Sequence, residues 1–273
     1  MYTSLRLGRV ARLALQASAA FCLMQQVMKA DLYGVDAVRD KLYRLNPTTG
    51  AATEIGSTAL SGLTAPGGLA WNGSTMLVLD LDGGDLFTLD LATGVPTFVS
   101  AIGSVGWQAL ASRPSDGALF LTNNGNFLFS LNQATGVVTE IGAHNVGLIT
   151  ALDFDATGEL WGVDFFTGRY GTFNTSTGQF TEKGITRAGL QGLAFGEAGT
   201  VYVSSTQNQN LYTLDLATGQ TTLVGPTGTV FMKAIEFVPN ATSAVPEPVQ
   251  TALLSVGLLA AATLGRIRRT HTN

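Results

Sequence analysis

Between Asp31 and Asn240 the chain is a succession of short apolar runs, each of about four to six residues and each closed by Gly, Asn or Asp. LYGVD from Leu32, MLVLD from Met76, LFLTN from Leu119, LWGVD from Leu160 and VYVSS from Val201 are runs of this kind. A second set reads LYRLNPTTG from Leu42, LFTLDLATG from Leu86, LFSLNQATG from Leu128, YGTFNTSTG from Tyr170 and LYTLDLATG from Leu211. Thr-rich runs such as AATEIG, VVTEIG and QTTLVG follow, and then a fourth set: GGLAWNGS, QALASRPSDG, TALDFDATG, QGLAFGEAG and KAIEFVPN. Runs this short, rich in β-branched and aromatic residues and separated by turn formers, predict strands.

The runs recur with a fixed period. The Thr-Gly pairs end at Gly50, Gly94, Gly136, Gly178 and Gly219, so successive copies are 44, 42, 42 and 41 residues apart. Four strands per copy describe an antiparallel meander, and five copies predict an all-β, five-bladed β-propeller over 31–240. In Asp/Asn-x-x-Thr-Gly the first side chain can cap a turn and the glycine can supply the left-handed residue that restarts the next strand. No copy has the spacing of a nucleotide-binding glycine loop. If the GL/AL run is the innermost strand, the blade that opens at Leu32 receives its inner strand from Ala234–Val238, and pairing of the two ends closes the ring. The units resemble the bacterial surface-protein propellers akin to the YVTN-type and WD40-like superfamilies, a resemblance that implies architecture only.

Composition adds an electrostatic constraint. Residues 31–240 hold eight Lys and Arg against eighteen Asp and Glu, a net charge of -10. An acidic ring repels phosphate backbones, so nucleic acid is not an expected partner. The single cysteine, Cys22, lies outside this region, so packing and strand pairing must hold the ring without disulfides.

The two ends have a different character. Arg6, Arg9 and Arg12 precede an apolar stretch from Leu13 to Met24, the anatomy of a secretory signal peptide over 1–30 with cleavage expected after Ala30. At the other end a linker, 241–250, contains Val245-Pro246-Glu247-Pro248; 251–265 is free of charge, and 266–273 is a basic tail with Arg266, Arg268 and Arg269. A helix from Val249 to Ile267 would reach about 28 Å, enough to span marginally, with the arginines on the cytoplasmic side. This arrangement resembles the PEP-CTERM sorting signal of Gram-negative bacteria. The resemblance implies an exosortase-type processing enzyme as partner, transient anchorage in the inner membrane, and delivery to the cell surface or an extracellular polysaccharide matrix, with the polysaccharide or a surface protein as a further partner. The four residues after Arg269 depart from the pattern.

Candidate chemistry converges on one face of the ring. Asp36, Asp80, Asn123, Asp164 and Ser205 end the second strand of successive blades, beside the connections 56–66, 100–107, 142–149, 184–190 and 225–232. Two readings of these residues stand: oxygen ligands for a hard cation such as Ca2+, or caps of their own turns, the commoner role of Asp and Asn at strand ends. No other cofactor is expected. DLDGGD (Asp80–Asp85) reads as a tight hairpin and lacks the glutamate of an EF-hand loop. His144 is the only histidine in 31–240, so zinc, haem and Ser-His-Asp sites lack their usual residues. Asp153, Asp155, Glu197 and Glu236 leave paired-carboxylate chemistry open. Trp107, Phe165 and Phe166, in connections, are candidate sugar platforms. The function expected is a surface or matrix-associated binding or structural module; the alternative is a secreted propeller hydrolase, lactonase-like or glycan-active, with a metal in the central channel.

Overall fold

The computed structural model describes residues 31–59, 63, 65–103 and 106–239. The signal segment, the sorting motif and the two helices expected at the ends lie outside the described residues.

Among the described residues, twenty strands form five four-stranded antiparallel sheets. The first blade joins β1 (Asp31–Asp36), β2 (Lys41–Leu45) and β3 (Ala52–Ser57) to β20 (Met232–Val238) in the order β20-β1-β2-β3. The second blade holds β4 (Pro66–Trp71), β5 (Met76–Asp80), β6 (Asp85–Leu89) and β7 (Pro96–Ala101). The third holds β8 (Trp107–Ser112), β9 (Leu119–Asn123), β10 (Phe127–Leu131) and β11 (Val138–Ala143). The fourth holds β12 (Ile149–Phe154), β13 (Leu160–Asp164), β14 (Arg169–Phe173) and β15 (Phe180–Ile185). The fifth holds β16 (Leu190–Phe195), β17 (Val201–Ser205), β18 (Asn210–Leu214) and β19 (Thr221–Pro226). Strands β4, β8, β12, β16 and β20 are innermost, each packed against the next around the ring. The ends of the ring are paired, with Asp31 opposite Val238 and Val35 opposite Ala234.

The core lies between blades. One buried cluster combines Val35 and Leu42 of the first blade with Leu69, Val78 and Phe87 of the second. Burying each such aliphatic side chain contributes roughly 1.5–3 kcal/mol, and the other four clusters repeat the arrangement.

The Asx-x-x-Thr-Gly turn locks neighbouring blades at the rim. Asn46 Oδ1 accepts from Thr48 N at 2.9 Å and Thr49 N at 3.1 Å, and Asp90, Asn132, Asn174 and Asp215 repeat the cap. The terminal glycine then takes a left-handed conformation, φ +77° at Gly50 and +76° at Gly94. A Cβ at Gly50 would collide with the backbone of Gly225 on β19, and one at Gly94 would meet the backbone of Gly56 on β3. Each glycine thus serves the turn and the seam with the preceding blade together.

Candidate functional site

The ends of β1, β5, β9, β13 and β17 and the connections into β20, β4, β8, β12 and β16 share one face of the ring. Their pairing shows it: Ala37 N donates to Phe231 O, Leu81 N to Ala65 O, Asn124 N to Gly106 O, and Phe165 N to Leu148 O. The three aspartates there are buried, and each carboxylate is engaged by its surroundings. Asp36 Oδ1 accepts from Val38 N and Arg39 N, while Oδ2 accepts from Val230 N at 2.7 Å. Asp80 Oδ1 accepts from Ala65 N and Asp82 N. Asp164 Oδ1 accepts from Phe166 N, and Oδ2 accepts from the Thr167 hydroxyl at 2.7 Å. Asn123 Oδ1 accepts from Gly125 N at 2.9 Å. The Ser205 hydroxyl is buried without a partner. These bonds are those of turn caps, and two of the aspartates also clamp the segment that enters the inner strand. Among the described residues, no three of His, Cys, Asp or Glu are grouped to hold a metal ion.

The channel itself is organised by a feature the repeat did not announce. All five inner strands carry a β-bulge at the same level, where the register slips between Pro66 and Leu69, Trp107 and Ala109, Ile149 and Ala151, Leu190 and Gly192, and Met232 and Ala234. A bulge re-aims the extra residue out of the alternating pattern. The residues so placed are Gly67, Gln108, Thr150, Gln191 and Lys233. Lys233 Nζ donates to Gln191 Oε1 at 2.7 Å and to Gln108 Oε1 at 3.0 Å, and Gln108 Nε2 donates to Asn124 Oδ1 at 2.7 Å. These side chains come from the first, fifth and third blades, and the first and third are not neighbours, so the ammonium spans the channel mouth. Burial depresses its pKa from 10.5 to about 8.

Below this ring the channel narrows. Gly68, Ala109, Ala151, Gly192 and Ala234 form a level of small residues, and a Cβ on Gly68 would collide with the backbone of Leu110 in the next blade. Tight curvature brings the inner strands this close. The remaining void is about 10 Å3, room for one water.

At the next polar level stand Asp153 on β12 and Glu236 on β20. Asp153 accepts from Phe154 N and from Phe195 N of the fifth blade, both at 2.7 Å. Glu236 is likewise bonded by the backbone of Phe237 and, from the second blade, Trp71. Burial raises both pKa values; in Glu236 the charge of Asp153 raises it further, and in Asp153 the two backbone donors oppose the rise. Of the four carboxylates considered as acid-base partners, the fold brings these two together. Asp155 instead caps its own turn and accepts from the Trp161 indole at 3.0 Å, and Glu197 lies in the short 3-10 turn Glu197–Gly199.

The remaining candidates separate clearly. Trp107 is the first residue of β8, 2% exposed, with its indole donating to Gly103 O; it is core and not a sugar platform. Phe166 is 69% exposed and packs edge-on against Phe165. His144 is buried edge-on against Phe173, its Nδ1 accepts from Val146 N, and its Nε2 has no partner. Burial lowers its pKa to about 4. It lines an open cleft of about 480 Å3 with Arg169 and Glu182.

Sequence reasoning did not single out Gln108, Gln191 or Lys233. The available signal was a long polar residue, Gln or Lys, at the second position of the inner runs WQALAS, LQGLAF and MKAIEFV.

No family model matches the chain, and no curated protein does. Solved structures do. A chain of the nidogen/laminin complex is 18% identical with a TM-score of 0.57, covering 77% of this chain and 81% of that one. A symmetrical protein from a study of de novo evolutionary emergence is 15% identical, TM-score 0.54, covering 77% and 98%. A Bacteroides thetaiotaomicron protein of unknown function is 14% identical, TM-score 0.54, covering 80% and 66%. Identities this low speak to fold alone, and they agree with the strand topology: the chain is a five-bladed β-propeller of four-stranded blades.

Proposed function

We propose that this chain is an exported propeller that serves as a binding or structural module at the cell surface or in an extracellular polysaccharide matrix, after an exosortase-type enzyme removes a membrane-spanning sorting tail. The observation that carries the reading is the position of ring closure. Strand β20 ends at Val238, paired with Asp31, and so all twenty strands precede Val245-Pro246-Glu247-Pro248. Cleavage within 245–248 would take no strand from the ring, so the sorting tail and the folded unit are separable. The channel itself is not a ligand pocket: such pockets occupy about 300–1,000 Å3, whereas the void on the axis is about 10 Å3, so a ligand would meet the ring at its mouth or its outer surface. The net charge of -10 over 31–240 argues against nucleic acid as the partner.

The test is expression in a Gram-negative host with and without an exosortase. The expected product with the enzyme is a secreted or surface form whose mass places its C-terminus within 245–248. Replacing Pro246, Glu247 and Pro248 together by alanine should leave a membrane-bound, uncut chain. Equal trimming in the absence of the enzyme, or of the triple variant, would sink the sorting reading.

A further inference from the structure

The mouth of the channel is chemically lopsided. In the fifth blade the segments that reach this face, 184–190, 205–210 and 226–232, contain no Asp or Glu, although the ring as a whole carries a net charge of -10. They carry amides, and one cation of unusual standing. Lys41, Arg44, Arg113 and Arg169 each form an ion pair with a carboxylate, whereas Arg187 enters none among the described residues. Its guanidinium instead lies over the ring of Tyr212, Cζ 4.3 Å from the centroid, and its Nε is buried with no hydrogen-bond partner. Tyr212 is itself fixed, its hydroxyl accepting from Asn208 Nδ2 at 2.8 Å and Asn210 Nδ2 at 3.2 Å. The same connection ends in Gly189, φ +81°, where a Cβ would collide with the side-chain amide of Gln207; the missing Cβ lets that amide lie against the strand entry. One residue beyond the connection 184–190, Gln191 accepts from Lys233, which like Arg187 forms no ion pair among the described residues; Arg39 on the same face forms none either, and its Nη1 donates to Gly228 O.

We infer that the fifth-blade sector of the channel mouth binds a carboxylate-bearing saccharide, with Arg187 as the anchor for the carboxylate, Lys233 supplying field, and the Gln207 amide meeting hydroxyls. A planar guanidinium held by an aromatic face, with its outer N–H groups unclaimed, is arranged to meet a carboxylate by two parallel hydrogen bonds. Primary amides donate and accept together, which suits a ring of hydroxyl groups. An anion over this sector also meets Arg187 and Lys233, neither of which forms an ion pair among the described residues, while the nearby Asp36 carboxylate is engaged by Val38, Arg39 and Val230 N. The inference rests on the binding-module reading and names the ligand class and the place.

The experiment is calorimetric titration of the full-length chain with an oligogalacturonate and with the same oligomer fully methyl-esterified, which keeps the backbone and removes the charge. The expected result is binding of the acid form at least tenfold tighter than the ester. Arg187→Gln should weaken the acid form tenfold or more and leave the ester unchanged, while Arg113→Gln, on the opposite face, should alter neither by more than twofold. Arg187→Lys serves as the control for folding: it keeps the charge, and should recover only part of the affinity because the two-pronged contact is lost. Equal binding of acid and ester, an Arg187→Gln variant that binds like the parent, or no binding of either oligomer would each overturn the assignment. Tail removal by the exosortase is read separately, so a failure here is distinguishable from a failure of the sorting reading.

Discussion

At the rim of the ring, the turn after the third strand repeats one construction five times: an Asn or Asp cap at 46, 90, 132, 174 and 215, a threonine, and a glycine whose φ lies between +71° and +77°. At the axis, the bulged position of the inner strand is not uniform: Gly67 in the second blade, glutamine in the third and fifth (Gln108, Gln191), Thr150 in the fourth and Lys233 in the first. The rim faces one recurring demand, a tight turn seated against the neighbouring blade. The axis is a single place shared by five strands, where five copies of one charged residue would repel and five copies of one large residue would not fit. Identity at the rim therefore reports architecture, and divergence at the axis reports what is particular to this chain.

The sharpest way to break the rim is Gly94→Val. The substitution forces a β-branched residue to φ +76° and drives its Cβ against the backbone of Gly56. The expected loss is about 3 kcal/mol or more, and for a domain of this size that lowers the melting temperature by roughly 6–12 °C. Gly73→Ala is the matching control. Gly73 has φ +93° with no atom near the missing Cβ, so only backbone strain is expected, about 1 kcal/mol. Equal losses at the two sites would show that the seam between blades contributes nothing to the cost.

The axis should show itself through pH. Asp153 and Glu236 have folded pKa values raised above their unfolded ones, Asp153 from 3.8 to about 7, so the folded state binds more protons between those values and stability falls as pH rises from about 4 to about 7. His144, depressed to about 4, opposes this fall up to its unfolded pKa of 6.5 but is one group against two. Lys233 works in the other direction. Its folded pKa of about 8 lies below the unfolded 10.5, so the unfolded state binds more protons in that window and stability climbs above pH 8. Each group can contribute up to about 1.4 kcal/mol per pH unit. Thermal melts should trace a trough between about pH 7 and 8; Glu236→Gln should flatten the acid limb and Lys233→Met the alkaline limb. A melting profile unchanged by either variant would mean that neither end of the channel holds its charge in the dry surroundings described.

What was legible in the sequence follows the same division. The period, the four strands per blade, the phase that hands Ala234–Val238 to the first blade and the face shared by Asp36, Asp80, Asn123, Asp164 and Ser205 were all readable, because repetition multiplies a weak local signal by five. The bulge was not readable, since one extra residue in a run of six leaves hydropathy almost unchanged yet reverses which side chain faces the axis. Hydropathy alone therefore does not mark Lys233 as facing the axis, although it is the one lysine of the five inner strands. The pairing of Asp153 with Glu236 was open in the sequence, where 83 positions separate them, and only ring closure makes them neighbours. Trp107 differs from the sequence expectation for a related reason: the connection ends one residue earlier than its composition suggests, and the indole belongs to β8.

The smallest expected effect tests whether the rim is as uniform in energy as in geometry. Asn132 Oδ1 accepts from Ala134 N at 3.0 Å and Thr135 N at 3.1 Å, and the turn has no ion pair to compensate for its loss. Asn132→Ala should cost about 1 kcal/mol, the net worth of an exposed cap, visible as a shift of roughly 2–4 °C in a thermal melt. Asn174→Ala, which removes the equivalent bonds to Ser176 and Thr177 one blade further on, should cost the same within about 0.5 kcal/mol, and the two together should add, because sites this far apart share no partner. A double variant that loses much more than the sum would mean that successive seams are coupled and the ring fails as a unit; additive losses would mean that each blade holds its neighbour independently.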